Sequence, residues 1–481
     1  MSEDDPGSGD RPERSRRVRR RPLLYSIGAM GAVAGCAGLE GEGGENDSSG
    51  DETDAGDDDA SESVDGANWE PAADERIRDH RTAQLEVRVV DGDGDPVDGA
   101  EVAVEMREHE FGFGTAVNAT TLLEETEEGD EYREYIPELF NKAVLENGHK
   151  WRFWEDEREL ADGATEWLLE QGLRMRGHAC LWANVDGWAV PPDVVEAMGI
   201  EWEEGGVTDP DEDPEHVRER TFDHLETIVE HYGDEMAEWD VVNEAIHEPE
   251  LATTIDGNDV DPVEAPVLAE WYHEAADTGV GVDVNDYNVL AGPHNATRSR
   301  YRDQIEFLLE EGVEIDGIGM QCHFSGGETL EPDEIMAGLD SYADYGADLR
   351  ITEYDTDGAT WDDEEKGEYL YTFLKTVFSH PATTDFLMWG FWDGRHWHDE
   401  APLFDDDWEP KPAYDAYTEL VFEQWWTDER GETDDGVYET RGFKGMYEIT
   451  AALGEATATA DATLSDGGDT VDLELEADEN E

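Results

Sequence analysis

Seven of eight short apolar runs in the middle of the chain end in residues able to do chemistry. These are Glu146 and Asn147, His178, Asn243 and Glu244, Asn285 and Asp286, Gln321 and His323, Glu353 and Asp355, and Trp389 and Asp393. Two carboxylates set among amides and indoles suit sugar chemistry. Cleaving a glycosidic bond needs one acid to protonate the departing oxygen and a second carboxylate to meet the positive charge that develops on the ring. Indole faces match the apolar faces of pyranose rings, and amide and carboxylate side chains pair with hydroxyls. Each residue alone is a weak signal, because a lone Glu at a strand end is more often solvated or salt-bridged. A metal site built from His178, His323 and a carboxylate is a competing reading, but neither HxH nor HExxH spacing is read here and no metal is expected.

The elements that must position these residues are strands alternating with longer amphipathic stretches from about residue 110 to 425. The strand candidates are GFGTAV, KAVLEN, LRMRGHACLW, EWDVVNE, GVDVNDY, GIGMQCH, LRITEY and FLMWGFW. Between them, EHVRERTFDHLETIVEHYG carries Val217, Phe222, Leu225, Ile228 and Val229 on one helical face, and WEDERELADGATEWLLEQG carries Leu160, Ala164, Leu168 and Leu169. Eight strand–helix alternations predict an α/β fold, a (β/α)₈ barrel, in which the C-terminal strand ends build the active site. Glu244 then ends the fourth strand and faces the mouth.

The flanks have a different composition. Residues 82 to 107 alternate Leu85, Val87, Val89 with Val102, Val104, Met106 around a Gly/Pro turn and read as a hairpin. DGDGD in that turn has the look of a calcium loop, but Val102 stands where the closing Glu belongs, which favours a plain turn. After about 430, Tyr447, Ile449, Val471, Leu473 and Leu475 alternate as in a small β module, expected to pack with the hairpin. No internal repeat is apparent. The expected domains are an export signal (1–36), an acidic tether (37–66), an N-terminal β segment (67–109), the barrel (110–428) and a C-terminal β module with an acidic tail (429–481).

The chain start is basic, RSRRVRRRPLL, then apolar over LLYSIGAMGAVAGC, a run too short to span a membrane. Arg20 and Arg21 before Pro22, Leu23 and Leu24 resemble a twin-arginine signal, and VAGC resembles a lipobox that makes Cys36 a lipidation site. An ordinary cleaved signal peptide is the alternative. Either reading expects a protein outside the cell, tethered at the surface if Cys36 carries lipid. The chain has 126 Asp and Glu against 32 Lys and Arg, a formal net charge of −94. Such a charge repels nucleic acid and anionic membranes. With 16 Trp and 37% hydrophobic residues, a folded protein whose charges are screened by high salt fits better than disorder. Three Cys make no disulfide framework, and Cys180 and Cys322 are expected as buried thiols. Acceptor sequons stand at Asn46, Asn118 and Asn295.

Several stretches, in order, resemble the catalytic domain of glycoside hydrolase family 10, the endo-β-1,4-xylanases, over roughly residues 111 to 424. They are FNKAVLENGHKW, RGHACLW, WDVVNEA, NDYN, GIGMQCHF, ITEYD and PKPAY. The resemblance implies the same barrel, with no cofactor and with xylan or a related β-1,4-linked polysaccharide as partner. It implies Glu244 as general acid/base and Glu353 as nucleophile in a retaining mechanism. Asn243 would hold the sugar 2-hydroxyl, and His323, with Asp355 behind it, would keep Glu353 ionised. Glu146, Asn147, Lys150, His178, Trp182 and Gln321 match residues on the non-reducing side of the cleaved bond. Trp389 and Trp397 match an aromatic wall, and Tyr287 a stacking residue on the leaving-group side.

The departures lie after the third strand. Where the family reads His-Thr-Leu-Val-Trp-His, this chain has His178, Ala179, Cys180, Leu181, Trp182 and Ala183, and the following NVDGWAVPP lacks the family's Gln. One polar sugar contact is lost while the catalytic pair is intact, which leaves substrate range open. The competing functions are another β-glycanase of this barrel type and a non-catalytic polysaccharide-binding surface protein; the intact acid and nucleophile speak against the latter.

Overall fold

After a helix, α1 (Trp69–Arg81), and two strands, β1 (Thr82–Asp91) and β2 (Glu101–His109), the eight apolar runs become the staves of a closed parallel barrel. They are β3 (Gly112–Val117), β4 (Lys142–Leu145), β5 (Arg174–Gly177), β6 (Met236–Asn243), β7 (Gly281–Asp286), β8 (Gly317–Met320), β10 (Asp348–Asp357) and β11 (Thr383–Met388). A short β9 (His323–Ser325) extends the rim beside the end of β10. Closure comes from β11, which pairs with β10 on one side and β3 on the other, Phe386 standing opposite both Ile351 and Phe113. The computed structural model describes residues 69–325, 328–358, 361–398 and 400–476. The export signal, Cys36, the tether and Asn46 lie outside them.

The staves read as unbroken apolar runs because helices cover their outer face, so both faces are buried. One layer of the interior breaks that pattern. Lys142, Arg176 and Arg350 interleave with Glu238, Asp240, Asp283 and Asp385, all buried. Lys142 Nζ lies 2.6 Å from Glu238 and 2.9 Å from Asp385; Arg176 bonds Asp240 and, at 2.7 Å, Asp283; Arg350 Nε lies 2.8 Å from Asp283. Charges so far from water persist only when paired and hydrogen-bonded.

The flanking strands differ from the sequence expectation. Residues 82 to 107 do not form a hairpin. β1 pairs antiparallel with β13 (Val437–Phe443) and parallel with β16 (Asp469–Leu475), whereas β2 pairs with β12 (Asp428–Glu432) and β14 (Gly445–Leu453), which in turn pairs with β15 (Ala456–Leu464). The two strands sit in opposite sheets of a sandwich, so Leu85, Val87 and Val89 meet Val102, Val104 and Met106 in one core with Tyr447, Ile449 and Leu473. The linker between them is an Asp-anchored turn, with Asp91 Oδ1 accepting from the backbone N–H of Asp93 and of Asp95, each at 3.0 Å. The N-terminal segment is also not all β, since it opens with α1. That helix buries Ala73 and Ile77 and docks on the barrel's last long helix, Asp363–Ser379. Arg81 finishes the joint by donating to the carbonyls of Phe378, His380 and Thr383 at 2.6–2.7 Å, satisfying groups left open where the helix ends.

Candidate active site

β6 ends in Asn243, and the chain turns at once through Glu244, whose φ of 57° is unusual for a side-chain-bearing residue. Backbone bonds hold it there: its N–H donates to Asn285 O at 2.9 Å, and its carbonyl accepts from His247 N at 3.0 Å and Glu248 N at 2.7 Å. The turn aims the carboxyl into the mouth, where Oε2 accepts from Trp182 Nε1 at 2.9 Å and Oε1 from Gln321 Nε2 at 2.8 Å. Glu244 is 8% exposed. Burial pushes its carboxyl up to about 7, the negative charges of Glu353 and Asp286 adding to the effect against the hydrogen bonds from Gln321 and Trp182.

Glu353, on β10, has the opposite setting. Burial favours its neutral form, but the hydrogen bond from His323, the proximity of His178 and the Asn285 amide outweigh it and hold the carboxyl below the ordinary carboxylate range. His323 Nε2 lies 3.3 Å from Glu353 Oε2, and its Nδ1 lies 2.9 Å from Asp355 Oδ1. Burial opposes a charge on that ring, yet Asp355 and Glu353 raise its pKa to about 10, so it stays protonated between the two carboxylates. Asp355 also accepts from Trp397 Nε1 at 2.7 Å and faces His396 at 3.6 Å.

The remaining predicted residues surround this pair. Lys150 Nζ donates to Asn147 Oδ1 at 2.9 Å and lies 4.6 Å from the Trp182 ring centre and 5.8 Å from that of Trp389. Burial lowers its pKa, partly countered by Glu353, Glu146 and Glu244. His178 Nδ1 lies 2.9 Å from Asp240, a member of the interior charge layer, and its ring meets Trp389 edge to face at 5.1 Å. Tyr287 stacks on His247. Trp397 packs against the His323 ring at 5.1 Å. The structure thus gathers the fourteen residues that the resemblance names for the site at one rim, and Cys36 lies outside the described residues.

Asn285, one of the strand-end residues of the sequence reading, bridges the halves. Two residues not singled out for the site also take part: Asp240 orients His178, and Asn118 Nδ2 donates to Glu146 Oε2 at 2.7 Å. Asn118 is buried, so its sequon is closed to glycosylation in the folded protein. Ala183, at the divergent position, is buried, and Asn184 beside it caps a turn through Gly187 N. Asp393, another strand-end residue, pairs with Lys411 at 2.7 Å outside this network. Cys180 and Cys322 are free and buried. His396 and His398 do have the HxH spacing that the sequence reading missed, but no group of three or more His, Cys, Asp or Glu among the described residues is arranged to hold a metal.

The model of glycosyl hydrolase family 10 matches residues 103–420. The anti-sigma-I factor RsgI6 of Acetivibrio thermocellus is 29% identical over 399 residues, covering 81% of this chain and 47% of that protein, so the chain spans about half the relative's length. Endo-1,4-beta-xylanase B of Thermotoga neapolitana is 27% identical over 333 residues, 65% of this chain and 89% of the xylanase. Xylanase 10B from Thermotoga petrophila, solved in complex with xylobiose, has the same fold, with a TM-score of 0.54 at 24% identity over 66% of this chain and 95% of its own. An endoxylanase from a sugarcane soil metagenome gives 0.53 at 25% identity over 64% and 96%.

Proposed function

This chain belongs to glycosyl hydrolase family 10, and from that membership we propose that it is a retaining, endo-acting β-1,4-xylanase. The observation that carries the reading is the opposed setting of two carboxyls in one hydrogen-bonded rim. Glu244 keeps its proton up to about pH 7 while Glu353 is ionised well below that. A proton donor and a nucleophile are the two groups that double displacement requires, at a separation of about 5–5.5 Å.

In the first step Glu353 attacks the anomeric carbon and Glu244 gives its proton to the departing oxygen. The products are a glycosyl ester on Glu353 and a departing fragment whose protonated oxygen is now the hydroxyl of a new non-reducing end; the new reducing end is freed in the second step. In the second step Glu244, now a carboxylate, takes a proton from water as it attacks the same carbon, and Glu353 leaves as a carboxylate. His323 and Asn285 hold Glu353 in place through both steps. Lys150, Asn147, Glu146 and His178 supply polar partners for the sugar on the non-reducing side, and Trp389 and Trp397 an apolar wall.

A relative named as an anti-sigma-I factor and not as a hydrolase is the reason to carry a second, non-catalytic reading, a surface protein that only binds polysaccharide. Its alignment exceeds the span of the family model and runs into the flanking strands. A pure binder has no need of an acid and a nucleophile set apart in protonation. Hydrolysis of β-1,4-xylan beside β-1,4-glucan, with product anomers followed by NMR, separates the readings. Early β-anomer from xylan, lost in Glu353→Ala, is expected. Cleavage of glucan alone overturns the substrate, and cleavage of neither by folded protein puts the binder first.

For residues 1–66 we propose export by the twin-arginine signal and lipid anchoring at Cys36. Cys36→Ser should move the protein from the membrane fraction to the medium; no redistribution rules the anchor out.

A further inference from the structure

We propose that His247 is a positioning residue for the leaving-group side. Held by the buried carboxylate of Asp286, it braces the Tyr287 ring as a fixed platform for the apolar face of the first leaving-side pyranose. This inference rests on the xylanase reading and extends it to a residue outside the catalytic pair.

The two rings lie nearly parallel, with centroids 3.7 Å apart and planes 16° apart. The imidazole is not free to slide, because its Nδ1 lies 2.6 Å from Asp286 Oδ1. Asp286 has no solvent exposure and also accepts from the backbone N–H of Ile246 at 3.1 Å and of Tyr287 at 2.9 Å. One carboxylate therefore ties the end of β7, which leads into Tyr287, to the loop that leaves Glu244.

That loop is in turn fixed to the proton donor, since His247 N donates to the Glu244 carbonyl at 3.0 Å. Both rings remain partly exposed, with the His247 side chain at 21%. The consequence is a two-ring step at a set height relative to Glu244. A sugar stacks best on a ring that does not have to be immobilised on binding, and bracing a flexible side chain in advance is worth up to about tenfold in affinity. The same bracing places the departing oxygen where Glu244 can protonate it.

The test compares xylopentaose, which puts a sugar on the leaving-group side, with β-xylobiosyl fluoride, whose leaving group has no ring. In His247→Ala the ratio of kcat/KM on xylopentaose to that on the fluoride should fall about fivefold. Transfer of the xylobiosyl unit from fluoride to added xylobiose, which uses the same platform, should fall by a similar factor. His247→Phe, which can stack without bonding Asp286, should recover part of both. A ratio within twofold of the unmodified protein's, or equal losses on the two substrates, overturns the inference and leaves the xylanase reading standing. If the unmodified protein cleaves neither substrate, the xylanase reading falls and takes this inference with it.

Discussion

Asn285 donates from its side-chain nitrogen to Glu353 Oε1 at 2.8 Å, and the same nitrogen lies 3.0 Å from Asn243 Oδ1. Its orientation is set from behind, because Thr352 Oγ1 donates to Asn285 Oδ1 at 2.8 Å and leaves only the amide nitrogen facing the site. Asn243 in turn donates to Glu244 Oε1 at 3.3 Å. Two amides thus join the carboxyl set to hold a proton and the carboxyl set to lose one.

Removing that bridge should weaken the nucleophile. A hydrogen bond to a charged group contributes about 1.5–3 kcal/mol. Asn285→Ala should therefore lower kcat/KM on xylan by roughly tenfold to a hundredfold and raise the pKa of the acidic limb of its pH profile. An acidic limb left where it was would show that Asn285 does not stabilise the ionised Glu353.

The pH dependence should be broad and bell-shaped. Activity needs Glu353 ionised and Glu244 protonated. With Glu244 at about 7 and Glu353 below the ordinary range, kcat/KM should fall above about pH 7 and persist below pH 4.5. For a substrate with a leaving group that needs no proton, the alkaline limb of the first step should flatten. An unchanged limb on such a substrate would assign the limb to another group.

Most of this rim was legible in the sequence for one physical reason. Parallel staves buried on both faces leave continuous apolar runs, so the polar residue that ends each run stands out, as Asn243–Glu244 after WDVV does. The same reasoning applied past GFGTAV reaches Asn118, which stands in the sequence reading only as an acceptor sequon. The sandwich was less legible because alternation identifies a strand but not its partner. β1 and β2 alternate alike, yet their partners lie far down the chain, with Leu85 opposite Thr440 and Val104 opposite Ile449. Helix α1 was hidden by its own composition, since it buries only Ala73 and Ile77 among charged neighbours. The interior ion layer was invisible for the converse reason: Arg176 and Asp240 sit inside runs whose apolar neighbours dominate the pattern.

The site should carry a stability cost. Glu244 binds its proton more tightly in the folded chain, at about 7 against an ordinary 4.5. The folded state then holds more protons than the unfolded one between those values, so this residue makes stability fall as pH rises from 4.5 to 7 and hold level above. The size is on the order of 3 kcal/mol. Glu244→Gln should be inactive yet more stable than the unmodified chain at pH 8, with the gain gone at pH 4. Equal stabilities in denaturant titrations at pH 8 would count against the raised proton affinity.

The interior ion layer should be brittle. Arg176 faces Asp240, Asp283 and Glu238 with only 1% of its side chain exposed. Arg176→Met fills similar volume but leaves those carboxylates short of a cation. Breaking a buried pair from one side costs about 3–5 kcal/mol, so a clear drop in denaturation midpoint is expected, and His178, held by Asp240, should lose alignment with it. A midpoint within the error of the unmodified protein's would mean that the layer is redundantly neutralised.

Salt should govern whether the fold persists at all. The sequence carries 126 acidic against 32 basic residues, and much of the basic complement is already committed to pairs such as Lys142–Asp385 and Lys375–Glu70. The uncompensated carboxylates repel one another across the surface, and compaction brings them closer, so repulsion opposes folding. Added salt shortens its reach from about 10 Å at 0.1 M to about 3 Å at 1 M. The unfolding temperature should climb steeply over that interval and more slowly beyond it, equally in NaCl and KCl if screening is the cause. A rise that keeps a constant slope to several molar would point instead to salt-strengthened apolar burial, and no rise at all would refute the claim that this charge load is tuned to a saline medium.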